Sequence, residues 1–252
     1  LQNLSIDTLF IGQELIYLPI CQSTNSYALE LLTSDTPIEG TVIYTSQQTA
    51  GRGQRGNIWE AEPDQNLTFS IILYPSFLDI NAHFYLNMAI ALAVRDFLVS
   101  ILGEEVKIKW PNDILYQSQK ICGILIENSI RKNVIDKSVV GIGVNINQMQ
   151  FNSPLAGSLK KITGRDYLLE PLLVQLLKQV EEKYLSLRNS KYNELKIKYL
   201  RSLFRYQERA WFQQSEELFE GEIIGVEESG HLRIQANNQL LRFDFKEVSF
   251  VF

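Results

Sequence analysis

The stretch TSQQTAGRGQRGNIW, residues 45–59, follows a β-type run, TVIY at 41–44, and places three glycines and two arginines within residues 51–56. Glycine lets the backbone take positive φ or come close to a ligand. Arginine offers five donors in a rigid fork that suits carboxylate and phosphate oxygens. Together they describe a loop at a strand end that can close over an anionic ligand and set it beside backbone amides. Taken alone, the loop also reads as a solvated turn that happens to hold two arginines. It is not a P-loop, because neither Gly-Lys-Ser nor Gly-Lys-Thr follows the glycines. It is not a dinucleotide fingerprint either, since Gly51, Gly53 and Gly56 lead into no helix-like run.

Outward from this loop the chain alternates strands and helices. On the N-terminal side, residues 5–19 read as short extended pieces. Ser23-Thr24-Asn25 then precedes a helical run, SYALELL at 26–32, which any of the three could cap. On the C-terminal side, 67–74 is an apolar strand. Residues 81–102 have helical spacing, with Phe84, Met88, Leu92 and Leu98 among the apolar positions. Met88 and Trp110 read as core packing, and His83 as a helix-end surface residue. Residues 106–110 alternate charged and apolar groups, Pro111-Asn112-Asp113 breaks the strand, and 114–116 resumes it. A polar turn at 117–120 leads to ICGILIE (121–127), and 134–147 holds a further long strand, so two hairpins are expected. Helices are expected at 165–187 and 192–208. Beyond 220 come short strands between turns: GEIIGVE, HLRIQA, QLLRFDF and VSFVF. Residues 204–252 carry five basic and nine acidic side chains, net −4. That pattern suits a small acidic β-barrel-like domain, and a DNA-binding module would need the opposite charge.

The whole chain supports this. Its 252 residues suffice for one large domain, or a large one and a small one, and a hydrophobic content of 45% supplies a proper core. A net charge of −5 argues against a nucleic-acid surface. Cys21 and Cys122 show no metal spacing and no disulfide framework. No apolar run is expected to reach the length of a membrane span, and LQNLSIDTLF lacks the layout of a signal peptide. A reducing cytoplasm is the expected compartment, where Asn66-Leu67-Thr68 is only the start of a strand.

Polar clusters fall at strand ends and in the breaks between strands: Ser23-Thr24-Asn25, 48–55, 109–113, Lys120, and Asn145 with Asn147. Loops and strand ends on a rigid scaffold are where binding groups gather. Singly each has a plain explanation: a solvated Lys109, a turn-capping Asp113, a hairpin-tip Lys120. In this order they are far more specific. With STN (23–25), QQTAGRGQRGNIW (47–59), KWPNDIL (109–115), KICGILIE (120–127) and GIGVNIN (141–147), the chain closely resembles the biotin–protein ligases. The resemblance runs over essentially its whole length and looks like the short form without a DNA-binding domain. Lipoate–protein ligases share the catalytic fold but match these motifs less well. Lipoate transfer is therefore the runner-up, and a non-enzymatic scaffold the third reading.

The resemblance implies an α+β fold. A mixed, largely antiparallel sheet of the class II aminoacyl-tRNA synthetase/biotin ligase-like type, with packing helices, would occupy 1–203, and a small SH3-like β-barrel 204–252. It implies formation of biotinyl-5′-adenylate from biotin and ATP with Mg²⁺. Transfer to a lysine of a biotin carboxyl carrier domain would follow, by a cytoplasmic monomer or homodimer that binds neither nucleic acid nor membrane. No covalent enzyme intermediate is needed, in keeping with a chain whose only histidines are His83 and His231. By the same resemblance Arg52 and Arg55, with Gly51 and Gly53 of their loop, would clamp phosphate. Lys120 would contact the biotin carboxylate and the α-phosphate. Asp113 would either bind Mg²⁺ or draw the carrier lysine toward deprotonation. Ser23, Thr24, Asn25 and Gln48 would meet the polar side of biotin, Trp59 and Gly123 would wall its ring pocket, and Asn145 and Asn147 would hold the nucleotide side. The apolar content of residues 148–159, with their Pro and Gly, suggests a segment that folds over adenine. Two departures stand out: the family's loop reads Gly-Arg-Gly-Arg-Arg-Gly-Arg, and here Gln54 and Asn57 replace its second and fourth arginines.

Overall fold

The computed structural model describes residues 6–251, so residues 1–5 and 252, where two of the expected extended pieces begin and end, lie outside the described residues. In chain order the elements are β1 (Leu15–Cys21), α1 (Thr24–Ser34), β2 (Val42–Gln48), β3 (Asn66–Leu73), α2 (Phe84–Leu102), β4 (Val106–Lys109), β5 (Asp113–Tyr116), β6 (Gln119–Arg131) and β7 (Val134–Asn145). Then come α3 (Leu159–Thr163), α4 (Leu169–Arg188), α5 (Tyr192–Ser202), β8 (Arg209–Gln214), β9 (Glu217–Val226), β10 (Leu232–Ala236), β11 (Gln239–Phe243) and β12 (Ser249–Phe250). The expected hairpins are β5–β6 and β6–β7. The last expected helix stops at Ser202, because Arg205 and Gln207 take left-handed backbone conformations (φ 61° and 58°) that no helix continues through. Neither α3 nor β8 is anticipated by the sequence.

Seven strands form one mixed sheet in the order β1-β2-β3-β7-β6-β5-β4, with β1 and β2 parallel and every other pair antiparallel. All eight residues of β3 are buried, as a central strand covered on both faces requires. The alternation of strand side chains sorts those faces. Ile43, Ile72 and Val139 pack on Ala28 of α1, whereas Val42, Tyr44, Ile71, Leu73 and Val140 join the larger core with α2, α4 and α5. α2 is apolar almost all round. Contrary to the expectation of no such run, the stretch Ile80–Leu102 is long and apolar enough to span a membrane. Here most of it is buried as the central core helix, which ends at Gly103 in a positive-φ conformation (84°).

The C-terminal strands correct the expected SH3-like β-barrel. They form an open five-stranded sheet, β11-β10-β9-β8-β12, whose edge strands do not pair with each other. β12 does not close it: among the described residues Ser249 and Phe250 pair, with Gln213 and Phe212 of β8, and the chain reaches no further than a Val251 N–H to Trp211 O bond at 3.2 Å. This sheet packs against the first through Trp110, whose ring lies tilted against Phe245 (5.3 Å between centroids) and whose indole N–H donates to the Gly230 carbonyl at 2.9 Å.

The N-terminal segment is held by one buried carboxylate. Glu181 of α4 accepts the backbone N–H groups of Leu9, Phe10 and Ile11 at 2.7, 2.8 and 3.0 Å. Truncation would leave these donors without partners, one of them fully buried, so Glu181→Ala is expected to destabilise the fold by about 2–3 kcal/mol. Urea unfolding measures this, and a loss under about 0.5 kcal/mol would show that solvent replaces the carboxylate.

Candidate active site

On the α1 face, one register row crosses five strands. Thr68 (β3) lies opposite Gly143 (β7), Gly143 opposite Gly123 (β6), Gly123 opposite Asp113 (β5), and Asp113 opposite Lys109 (β4). All five line a cleft of about 680 Å³, within the usual size range of small-ligand sites. Glycine at 123 and 143 leaves the middle of the row without side chains, and the Trp59 indole lies over that bare strip. A Cβ at Gly143 would overlap the indole, and one at Gly123 would come within 2.8 Å of it. The indole Nε1 is buried without a hydrogen-bond partner, a donor whose desolvation is offset only if an acceptor reaches it.

One wall is the start of α1. Ser23 occupies the N-cap position with extended backbone but makes no side-chain capping bond, which removes the plain reading of its hydroxyl. The Thr24 backbone N–H donates to Gln48 Oε1 at 2.8 Å. Asn25 is buried, and its amide donates to Glu127 at 2.9 Å. The Arg/Gly loop forms the roof. It doubles back as a narrow hairpin, with Gly53 N–H to Asn57 O at 2.7 Å and Trp59 N–H to Gly51 O at 3.0 Å, around a single 3₁₀ turn at Gln54–Gly56. Arg52 pairs with Glu127 at 2.6 Å.

Opposite the roof stands Lys120. Its ammonium is 2.7 Å from Asp113 Oδ1 and 5.5 Å from the Trp59 ring centroid. Its backbone is clamped by the 148–158 segment, through Lys120 N–H to Leu155 O (2.7 Å) and Gly157 N–H to Lys120 O (2.9 Å). A second cavity of about 310 Å³ opens beyond it, and Trp59, Lys109, Asp113, Lys120 and Leu155 line both. Lys120 therefore stands at the junction of two compartments. Among the described residues lining the larger cleft, Arg52, Lys109, Lys120 and Lys246 are cationic and only Asp113 is acidic. On a chain of net charge −5, that makes the cleft a local attractor for anions. Burial pushes the Lys109 ammonium below the usual lysine pKa; Asp113 opposes the shift and Lys120 adds to it. Burial pushes the Cys122 thiol well above its ordinary range, leaving it a packing residue of the core.

Of the residues singled out from sequence, Ser23, Thr24, Asn25, Gln48, Arg52, Gly53, Trp59, Asp113, Lys120 and Gly123 line the larger cleft together. Gly51 is buried at the loop's base, and Asn145 lines the second cavity. Asn147 lines neither cavity: its amide spans the backbone of Tyr167, donating to its carbonyl at 2.8 Å and accepting its N–H at 3.0 Å. The Arg55 side chain lies outside the described residues. The sequence reading placed Lys109 in a polar cluster but gave it no role in the site, and it missed Ser70, Glu127 and the contribution of Lys246, Ser249 and Phe250 from the C-terminal part. One signal was available: Gly141 and Gly143 are two apart in a strand, which marks a single bare face.

Residues 17–145 match the Biotin/lipoate A/B protein ligase family. The chain is 27% identical over 237 residues to the bifunctional ligase/repressor BirA of Bacillus subtilis, covering 92% of this chain and 72% of that protein. It is 30% identical over 172 residues to the biotin–[acetyl-CoA-carboxylase] ligase of Mycobacterium tuberculosis, covering 67% of this chain and 63% of that one. Among solved structures, the biotin protein ligase from Aquifex aeolicus in complex with biotin and ATP superposes with a TM-score of 0.77 at 28% identity, covering 94% of this chain and 98% of that one.

Proposed function

The chain belongs to the biotin/lipoate A/B protein ligase family, and we propose that it is an ATP-dependent biotin–protein ligase. It joins biotin to AMP as biotinyl-5′-adenylate and passes the biotinyl group to a lysine of a biotin carboxyl carrier domain. The observation that carries this reading is the place of Lys120, where two compartments meet under an arginine-bearing roof. Biotin fits the larger compartment, walled by the Trp59 indole that rests on Gly123 and Gly143, its polar ring edge toward Ser23, Thr24 and Gln48. The nucleotide fits the compartment of Asn145 and Leu155. Their reacting ends then meet beside the Lys120 ammonium.

In the first step a biotin carboxylate oxygen bonds to the α-phosphorus and pyrophosphate leaves. In the second the carrier lysine's amine bonds to the acyl carbon, AMP leaves, and the amine gives up a proton. Lys120 and Arg52 hold the charge that builds on the phosphoryl oxygens, and the two compartments fix the reactants end to end. Water is kept from the anhydride by the indole on one side and the clamped 148–158 segment on the other. Mg²⁺ would enter with ATP and neutralise its phosphates. Among the described residues no cluster of three His, Cys, Asp or Glu side chains offers a protein-built metal cage. Asp113 at the junction fits the single carboxylate that a phosphate-bound Mg²⁺ uses.

The test is pyrophosphate release with biotin or lipoate. Release with biotin alone supports the assignment, and release with lipoate alone overturns it. The roof carries a further prediction. With Gln54 and Asn57 in place of two arginines, the loop lacks two charge-assisted bonds to the adenylate. Gln54→Arg is therefore expected to slow adenylate dissociation by about tenfold, read by rapid dilution of the preformed complex. Equal off-rates would remove this role for position 54.

A further inference from the structure

Glu127 lies within β6, four residues beyond Gly123 and on the same face, and the ligase reading gives it no task. It touches two of the site's parts at once. Its Oε1 takes the Arg52 guanidinium at 2.6 Å, and its Oε2 takes the Asn25 amide at 2.9 Å. From Asn25 a chain of short contacts runs into the cleft: Ser70 Oγ to Asn25 Oδ1 at 2.6 Å, and Ser70 Oγ to Thr24 Oγ1 at 2.7 Å. Asn25 can sit there because Gly141 is bare, and any Cβ at 141 would overlap its carbonyl oxygen.

The direction of each bond in this chain follows from its charged end. A carboxylate only accepts, so Asn25 must turn its NH₂ toward Glu127 and its oxygen toward Ser70. Ser70 has one proton and gives it to that oxygen. The Thr24 hydroxyl has two acceptors in reach, Ser70 Oγ at 2.7 Å and Gln48 Oε1 at 3.3 Å; with Ser70's proton spent on Asn25, the shorter contact takes Thr24's proton, which leaves Thr24 Oγ1 with lone pairs for the cleft. Gln48 Oε1 is engaged by the Thr24 backbone N–H.

We propose, resting on the ligase reading, that Glu127 is a positioning residue with two effects. It latches the roof through Arg52, and it makes Thr24 an acceptor that faces a ligand N–H such as the ureido N–H of biotin. Glu127→Gln keeps the shape but removes the charge and leaves only the Leu125 carbonyl, at 3.3 Å, to hold the sense of the Asn25 amide, so both effects should weaken together.

Two measurements on the full chain decide this. Without ligand, amide exchange at residues 51–59 is expected to quicken about tenfold in Glu127→Gln while β3 and β7 keep their protection. Unchanged loop exchange would overturn the latch. In biotin titrations, Thr24→Ala and Glu127→Gln are each expected to weaken binding about tenfold, and the double variant no more than the weaker single one. Effects that multiply would overturn the relay, since a merely structural Glu127 acts independently of Thr24. Failure of the unsubstituted protein to bind biotin would remove the proposed substrate instead, and the exchange measurement would still decide the latch.

Discussion

Replacing Lys120 by glutamine is expected to slow adenylate formation by about 30- to 1,000-fold, a loss of about 2–4 kcal/mol of transition-state stabilisation. The ammonium stands where the two compartments meet and, among the described residues, is ion-paired with Asp113. When carboxylate attacks phosphate, negative charge gathers on the oxygens at that junction. Glutamine can still donate a hydrogen bond there but brings no charge. Stability should hardly move. The Lys120 and Asp113 side chains are 38% and 21% exposed, and partly exposed pairs contribute about 0–1 kcal/mol. Biotin-dependent ATP–pyrophosphate exchange measures the effect beside a melting curve. A loss below about fivefold would mean that the charge at the junction comes from elsewhere.

The second large effect is expected from a single methyl group. Gly143→Ala places a Cβ inside the volume of the Trp59 indole. β7 cannot yield, since Gly143 pairs on both sides, with Thr68 and Gly123. The indole belongs to a loop and must leave. Overpacking of this kind costs about 1–3 kcal/mol, and here the displaced group is a wall of the cleft. Biotin affinity is expected to fall by at least about tenfold with the fold intact. Trp59 emission should shift to the red, read in a background where exposed Trp211 is replaced by phenylalanine. Unchanged affinity together with unchanged emission would show that the wall absorbs the methyl group.

Much of this arrangement was legible in the residues, and the gaps have physical causes. Loop 45–59, the break at 111–113 and Lys120 could be read because their residue types are unusual for strand ends, and the cleft gathers all three. β3 and α2 were legible from runs of apolar residues that only a doubly covered strand and a central helix can bury. Glu127 and Ser70 were not, because their neighbours come from register: Ser70 faces Gly141, and Gly141 faces Leu125, through pairings between segments far apart in the chain. Asn147 misled for a similar reason. It stands in a motif-like run, yet its side chain serves the backbone of Tyr167. The open C-terminal sheet was hidden too. The short strands and their spacing suited a barrel, but β8 went unread, and closure depends on the length of β12, which among the described residues pairs through two.

The most direct test of the central claim is intact-mass analysis of a biotin carboxyl carrier domain after incubation with this protein, ATP, Mg²⁺ and biotin, and in parallel with lipoate. One biotinyl group on the carrier, dependent on ATP and lost with Lys120→Gln, is the expected result. A carrier that stays unmodified with biotin, or gains only a lipoyl group, would contradict it.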